Sequence, residues 1–199
     1  MSVYGGGGRG GDKANGIYIH HLRSFTLPAE DKLSEHNILH LKEKPTLEAM
    51  ADESFKKEFL EAHNEYRKQH QAPELTYNDE LCSAAQKWAD HMLSIRTLGH
   101  SETDDGENVY YFSSSVSKPA SGKAAVDSWY SEIKDYNFST PGNQPGTGHF
   151  TQVVWKSSTE LGVGLATDGK TVFVVGQYRP AGNMINAGYY EKNVLPKIE

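Results

Sequence analysis

From Asp52 onward, apolar residues recur at spacings of three and four. Phe55, Phe59, Ala62, His63 and Tyr66 fall on one face and predict a helix, stopped by Pro73. Asn78 is a good N-cap, and Asp79 and Glu80 suit the first turn of a second helix. That helix is expected to run to about Arg96, burying Leu81, Ala84, Ala85, Trp88, Ala89 and Met92, with Gly99 as its terminator. Residues 100–119 read as loop apart from a short strand over 109–112. A third helix over about 121–135 buries Ala125, Trp129 and Ile133, and the prolines and glycines of 137–147 make another loop. Segments 161–166 and 171–177 read as paired strands around the turn Asp168-Gly169-Lys170, with β-branched Val172, Val174 and Val175 suited to a central strand. Helices with a small antiparallel sheet define an α+β chain.

Residues 1–52 follow a different pattern. A glycine-rich run over 5–11 cannot hold a fixed backbone cheaply. Residues 28–48 are polar, and Leu33, Ile38 and Leu41 make at most one weak amphipathic turn. The segment is expected to be a disordered extension, with the folded domain over 53–199. Met50-Ala51-Asp52 reads as a second start, because the periodic sequence begins there.

Composition narrows the classes. The net charge is −6, of which −5 falls on 53–199, so the chain lacks the basic surface that phosphate backbones need and is not expected to bind nucleic acid. One cysteine, Cys82, allows no intrachain disulfide and points to a reducing compartment; the residue itself reads as a small buried hydrophobe. No stretch approaches the ~20 apolar residues that span a bilayer. The N-terminus has no basic region leading into an apolar run and no Met-Gly, so neither a secretory signal nor myristoylation is expected.

The chemistry concentrates at Gly148-His149-Phe150-Thr151-Gln152-Val153-Val154-Trp155. A titratable ring at the mouth of an apolar segment can be held rigidly and aimed into a cleft. Three further segments stand in order with it: His63-Asn64-Glu65-Tyr66-Arg67, Gly106-Glu107-Asn108-Val109, and Phe173-Val174-Val175-Gly176-Gln177-Tyr178-Arg179-Pro180. The set resembles the CAP superfamily (cysteine-rich secretory proteins, antigen 5, pathogenesis-related proteins) over roughly 53–199. Resemblance implies a three-layer α-β-α sandwich and a central cavity carrying two histidines and two glutamates. Here these correspond to His100, His149, Glu107 and Glu132, the last in Trp129-Tyr130-Ser131-Glu132.

Two neutral imidazoles can ligate Zn2+ while each carboxylate accepts the other ring N–H. The same groups can do acid–base work on water, or form a hydrogen-bond network that satisfies only itself. A zinc site predicts affinity that falls below pH ~6.5, where free imidazole protonates. A hydrolase needs a nucleophile, and Ser101 and Ser131 lie near the candidate groups but not in a Gly-x-Ser-x-Gly elbow. His63 and Arg67 are expected to tie the first helix to the core, and Asn108 and Asn183 to shape turns. Tyr110, Tyr111 and Phe112 form an aromatic cluster expected in a loop, where it either packs on the core or faces lipid or a partner.

Ala62-His63-Asn64-Glu65-Tyr66-Arg67, Trp129-Tyr130-Ser131-Glu132-Ile133-Lys134, Gly146-Thr147-Gly148-His149-Phe150-Thr151 and Asn193-Val194-Leu195-Pro196 resemble the Golgi-associated branch of the family, and the near absence of cysteine fits that intracellular branch. That implies a non-enzymatic protein on the cytosolic face of Golgi membranes or in the cytoplasm, binding an anionic phospholipid or sterol surface and able to form a homodimer. With a net negative charge, such binding would draw on basic groups such as Lys56, Lys57, Arg67 and Lys68. The alternatives are a metal-dependent hydrolase built on the same cleft and an extracellular defence-type protein.

Overall fold

A computed structural model describes residues 47–198, and the expectations placed on 1–46 lie outside the described residues. In chain order the elements are α1 (Leu47–Gln69), β1 (Thr76–Tyr77), α2 (Asp79–Ile95), β2 (Gly106–Ser113), α3 (Gly122–Tyr130), a 3₁₀ turn (Ser131–Asp135), α4 (Gly148–Val153), β3 (Glu160–Thr167), β4 (Thr171–Arg179) and α5 (Tyr189–Asn193). The first helix therefore begins upstream of the expected domain start at 53.

The sheet has the order β1-β3-β4-β2. β3 and β4 form the expected antiparallel hairpin, and β2 pairs antiparallel with β4 over its whole length. Only the two-residue edge strand β1 runs parallel, a strand the sequence pattern did not mark. β4 is buried on both faces, and its side chains alternate with the pleat. Val172, Val174 and Tyr178 join Phe55, Phe59, Trp129, Phe150 and Trp155 in one apolar cluster with α1 and α3. Phe173 and Val175 join Ala85, Ala89 and Met92 of α2 in another. Two helical layers thus enclose the sheet, in a three-layer α-β-α sandwich.

The helix α2 lies close because Gly162 and Gly164 leave room for it. A Cβ at either would sit 2.3 Å from the backbone of Leu81 or Ala85. Asn78 caps α2 as expected, its Oδ1 accepting from Leu81 N at 3.1 Å. Arg96 in left-handed conformation (φ 54°) ends the helix, so Gly99 is not the terminator; its carbonyl instead accepts from Trp88 Nε1. Ala84 is exposed and Trp88 and Cys82 only half-buried, which corrects those three burial expectations: the helix packs through the narrower stripe Leu81, Ala85, Ala89, Met92.

At the end of α1, Gln71 (φ 59°) turns the chain before Pro73 is reached. Arg67 is wholly buried and spans this turn. Its guanidinium donates to the carbonyls of Pro73, Val153, Trp155 and Ser158 at 2.7–3.0 Å. Burial pulls it down to about 10, still charged at neutral pH. The segment expected as one helix over 121–135 is α3 followed by the tighter 3₁₀ turn, a common way for a helix to finish.

Candidate functional site

The start of β2, the 3₁₀ turn and the start of α4 converge on a cleft of about 310 Å³. It is lined by His100, Glu107, Asn108, Glu132, Gly146, Gly148, His149 and Asn183. All four candidate groups drawn from the sequence face this one space, although 49 positions separate His100 from His149.

Glu132 is placed by the 3₁₀ turn against the first turn of α4. Its Oε2 accepts the backbone N–H groups of His149 (2.9 Å) and Phe150 (3.1 Å), and its Oε1 faces His149 Nδ1 at 2.7 Å. Burial alone would raise the Glu132 pKa. The hydrogen bond from the His149 ring and the donors around it outweigh that effect and hold the carboxyl below its usual range. An ionised acceptor at 2.7 Å means that Nδ1 carries a hydrogen, so that in the neutral ring the Nε2 lone pair is bare. The ring also stacks on Trp129, with centroids 6.3 Å apart and planes 15° apart.

Glu107 stands on β2 and works on the opposite wall. Its Oε1 accepts from Ser101 N and faces His100 Nδ1, both at 2.9 Å. Its Oε2 accepts from Gln177 Nε2 at 3.1 Å and from the Ser101 hydroxyl. His100 itself sits on the loop after α2, which the bidentate pair Arg179–Asp105 ties to the end of β4 (2.7 Å for each bond). Among the described residues, neither cleft histidine has a hydrogen-bond partner at Nε2.

Sequence reasoning missed the residues that hold these four. Asn108 is no turn former: it lies buried within β2 and donates to the His149 carbonyl at 3.0 Å and to Tyr178 Oη at 3.3 Å. Asn183 does adopt a left-handed backbone (φ 57°), but its amide bonds Thr151 Oγ1 (2.6 Å) and Gly148 O (2.9 Å), bracing α4 from outside. Position on a strand rather than in a turn is what changes the reading of Asn108, and only the β2–β4 pairing supplies it.

Candidate nucleophiles are committed elsewhere. The Ser131 hydroxyl donates to Ser128 O, and that of Ser101 to Glu107. Neither contacts a histidine ring.

Tyr110, Tyr111 and Phe112 lie on β2, not in a loop, because the strand extends to Ser113. Their side chains alternate across the sheet. Tyr111 leans on Phe173 (5.2 Å between centroids), while Tyr110 and Phe112 help to line an apolar pocket of about 190 Å³ with Pro119, Ala120, Ala124 and Lys118. Tyr111 and Phe112 remain exposed.

A three-layer α-β-α sandwich of this kind is the fold of the CAP domain. Residues 60–178 match the model of the cysteine-rich secretory protein (CAP) family, and the chain belongs to that family. It is 45% identical over 152 residues to the Golgi-associated plant pathogenesis-related protein 1 of Homo sapiens, covering 73% of this chain and 96% of that protein. To protein PRY2 of Saccharomyces cerevisiae it is 37% identical over 145 residues, 71% of this chain but 41% of the yeast protein. Among solved structures it resembles BmVAL-1 (TM-score 0.57, 25% identity, 73% of this chain and 83% of that one). It also resembles NaASP2 with Zn2+ (TM-score 0.56, 26% identity, 74% and 87%). The chain is thus a CAP-domain protein related to the Golgi-associated pathogenesis-related protein, with a single cysteine in a family named for many.

Proposed function

We propose that the chain is a non-enzymatic binding module that attaches peripherally to the cytosolic face of Golgi-type membranes and holds a divalent cation such as Zn2+ in its cleft. One observation carries the reading. Every oxygen of Glu107 and Glu132 already faces a donor, and the nearby serines are bound elsewhere, whereas both histidines keep a bare Nε2. The cleft thus offers two imidazole nitrogens while its serine hydroxyls are already hydrogen-bonded; the same nitrogens can serve as bases, and hydrolytic turnover separates the two roles. The donor chemistry suits zinc in part: His100 and His149 would offer two imidazole Nε2 donors, each ring oriented by its glutamate, while among the described residues no cluster of three or more ligating side chains stands there, so water or a further ligand would complete the shell. A bound cation would act there as a Lewis acid and as a cross-link between the two walls.

The membrane half of the proposal is supported by likeness to the Golgi-associated relative and by the last residues of β2, where Tyr111 and Phe112 stand exposed on opposite faces of the sheet. Tyr111 and Phe112 are exposed beside Lys118 and Lys170, whose backbones both meet the Asp168–Gly169 turn. Aromatic rings with flanking cations suit a boundary between apolar chains and anionic headgroups. The basic group expected on α1 is mostly committed; Lys68 is exposed and in no ion pair among the described residues. Arg67 is buried, and Lys56 and Lys57 are paired with Asp52 and Glu61 on their own helix.

Co-sedimentation with anionic and neutral vesicles, with zinc and with chelator, tests this. Expected is anionic-selective binding that weakens with salt and with Phe112→Ser plus Lys118→Glu. No binding under any condition overturns the membrane reading. Hydrolytic turnover lost equally in His149→Ala and Glu132→Gln would overturn the non-enzymatic one.

A further inference from the structure

We infer that Asn108 is a positioning residue for the cleft: through a buried chain of His63, Tyr178 and Asn108, the fold fixes the main chain of His149 and with it the direction of the bare Nε2. The inference rests on the cleft being a binding site, as proposed above.

The chain has a defined direction. His63 Nδ1 faces the Phe59 carbonyl at 2.8 Å, so that nitrogen carries the hydrogen and Nε2 can only accept. Tyr178 Oη, 2.7 Å away, therefore donates its one hydrogen to His63 Nε2. Its lone pair is left to accept from Asn108 Nδ2, whose other hydrogen goes to the His149 carbonyl. Turning the Asn108 amide over would set its oxygen against the His149 carbonyl and leave a buried phenol oxygen without its donor. All of these side chains are buried, so that error carries the full desolvation penalty. The orientation of Asn108 is thereby decided on the far side of the core, at His63 on α1.

At His149 the grip is two-sided. Glu132 takes the peptide N–H and the ring, and Asn108 takes the carbonyl. The next residue on β2, Val109, accepts from Trp129 Nε1 at 3.0 Å and so fixes the indole on which the imidazole stacks. Three consecutive β2 residues thus address the cleft: the Glu107 carboxylate serves the His100 wall, the Asn108 amide the His149 main chain, and the Val109 carbonyl the stacking partner.

The test uses the full chain as wild type, Asn108→Ala and Tyr178→Phe. Histidine ring 15N signals would be recorded without metal, and zinc affinity by calorimetry. In the wild type, His149 is expected as a single Nδ1–H form. In Asn108→Ala its two ring nitrogens should move toward averaged values while those of His100 stay fixed, and zinc affinity should fall about 10-fold. Tyr178→Phe, which keeps the packing, should shift the same signals by less, and it supplies the readout if Asn108→Ala does not fold. Unchanged His149 signals in both variants would overturn the inference. A wild type that shows the Nδ1–H form, loses it in the variants and yet binds no zinc would sustain the positioning role while overturning the metal reading.

Discussion

The two walls of the cleft carry the same pair of residue types on different foundations. On one wall Glu132 holds its histidine by ring and backbone together, and the ring rests on an indole that is part of the main core. On the other, His100 is carried by a surface loop, its side chain 59% exposed against 36% for His149. The carboxylates reverse this order: Glu107 is 4% exposed and Glu132 22%. A buried glutamate therefore anchors the more exposed histidine, and a partly open glutamate the less exposed one. The difference teaches that one wall is preorganised by packing and the other by polar contacts alone.

Removing the indole attacks the packed wall most directly. Trp129→Ala should cost about 3–5 kcal/mol, measured by denaturant unfolding, because it opens a cavity in the main cluster and frees the Val109 carbonyl. A loss below ~1 kcal/mol would mean that the two walls are equally independent of the core.

Acid should find the packed wall next. Burial pushes His63 down to about 3, the Phe59 hydrogen bond opposing this only in part. The folded state thus keeps His63 neutral while the unfolded chain protonates near ~6.5. The unfolded state binds the extra proton, so stability is complete above ~6.5 and is lost as pH falls toward 3, by up to about 1.4 kcal/mol per pH unit. Glu132, held below its usual range, adds a further loss below the ordinary carboxylate value near ~4.3, where the unfolded chain takes up the proton first, and that loss ends once the folded carboxyl is protonated too. Thermal unfolding between pH 7 and 4 checks the first effect. A midpoint that does not move would remove His63 from the account.

Glu132→Gln keeps shape but faces an N–H against the His149 ring, and should lower zinc affinity by 10–100-fold. The equivalent Glu107→Gln should instead raise hydrogen exchange in the loop over 97–105 before it changes global stability. Equal affinity losses without that local signature would contradict the asymmetry. Smallest of all, His100→Ala should leave stability within about 0.5 kcal/mol, since an exposed side chain with one partner contributes little.

Much of this was legible in the chain. The 3.6 period of α1 and α2, the Asn78 cap and the Asp168-Gly169-Lys170 hairpin depend on neighbours in sequence, and local chemistry decides them. Boundaries that depend on distant partners were not legible. β1 has two residues and exists only because β3 lies beside it, and β2 extends to Ser113 because β4 offers eight partners. Among the hidden supports of the site, Asn108 read as a turn former and Trp129 as core, and Gln177 and Tyr178 carried no reading beyond their motif, because their roles at the site are made with residues far away in the chain.

The sequence by itself determined which groups this protein can use: two imidazoles, two carboxylates, an aromatic cluster and no disulfide. Its local patterns also settled that helices flank a hairpin-centred sheet. Only the tertiary structure decided that the imidazoles face one cleft with Nδ1 engaged and Nε2 bare, that Arg67 is spent on four carbonyls, and that β2 serves both walls at once. The reason is physical: a hydrogen bond's direction depends on where its partner lies, and here the partners come from strands and helices that meet only when the sheet has closed.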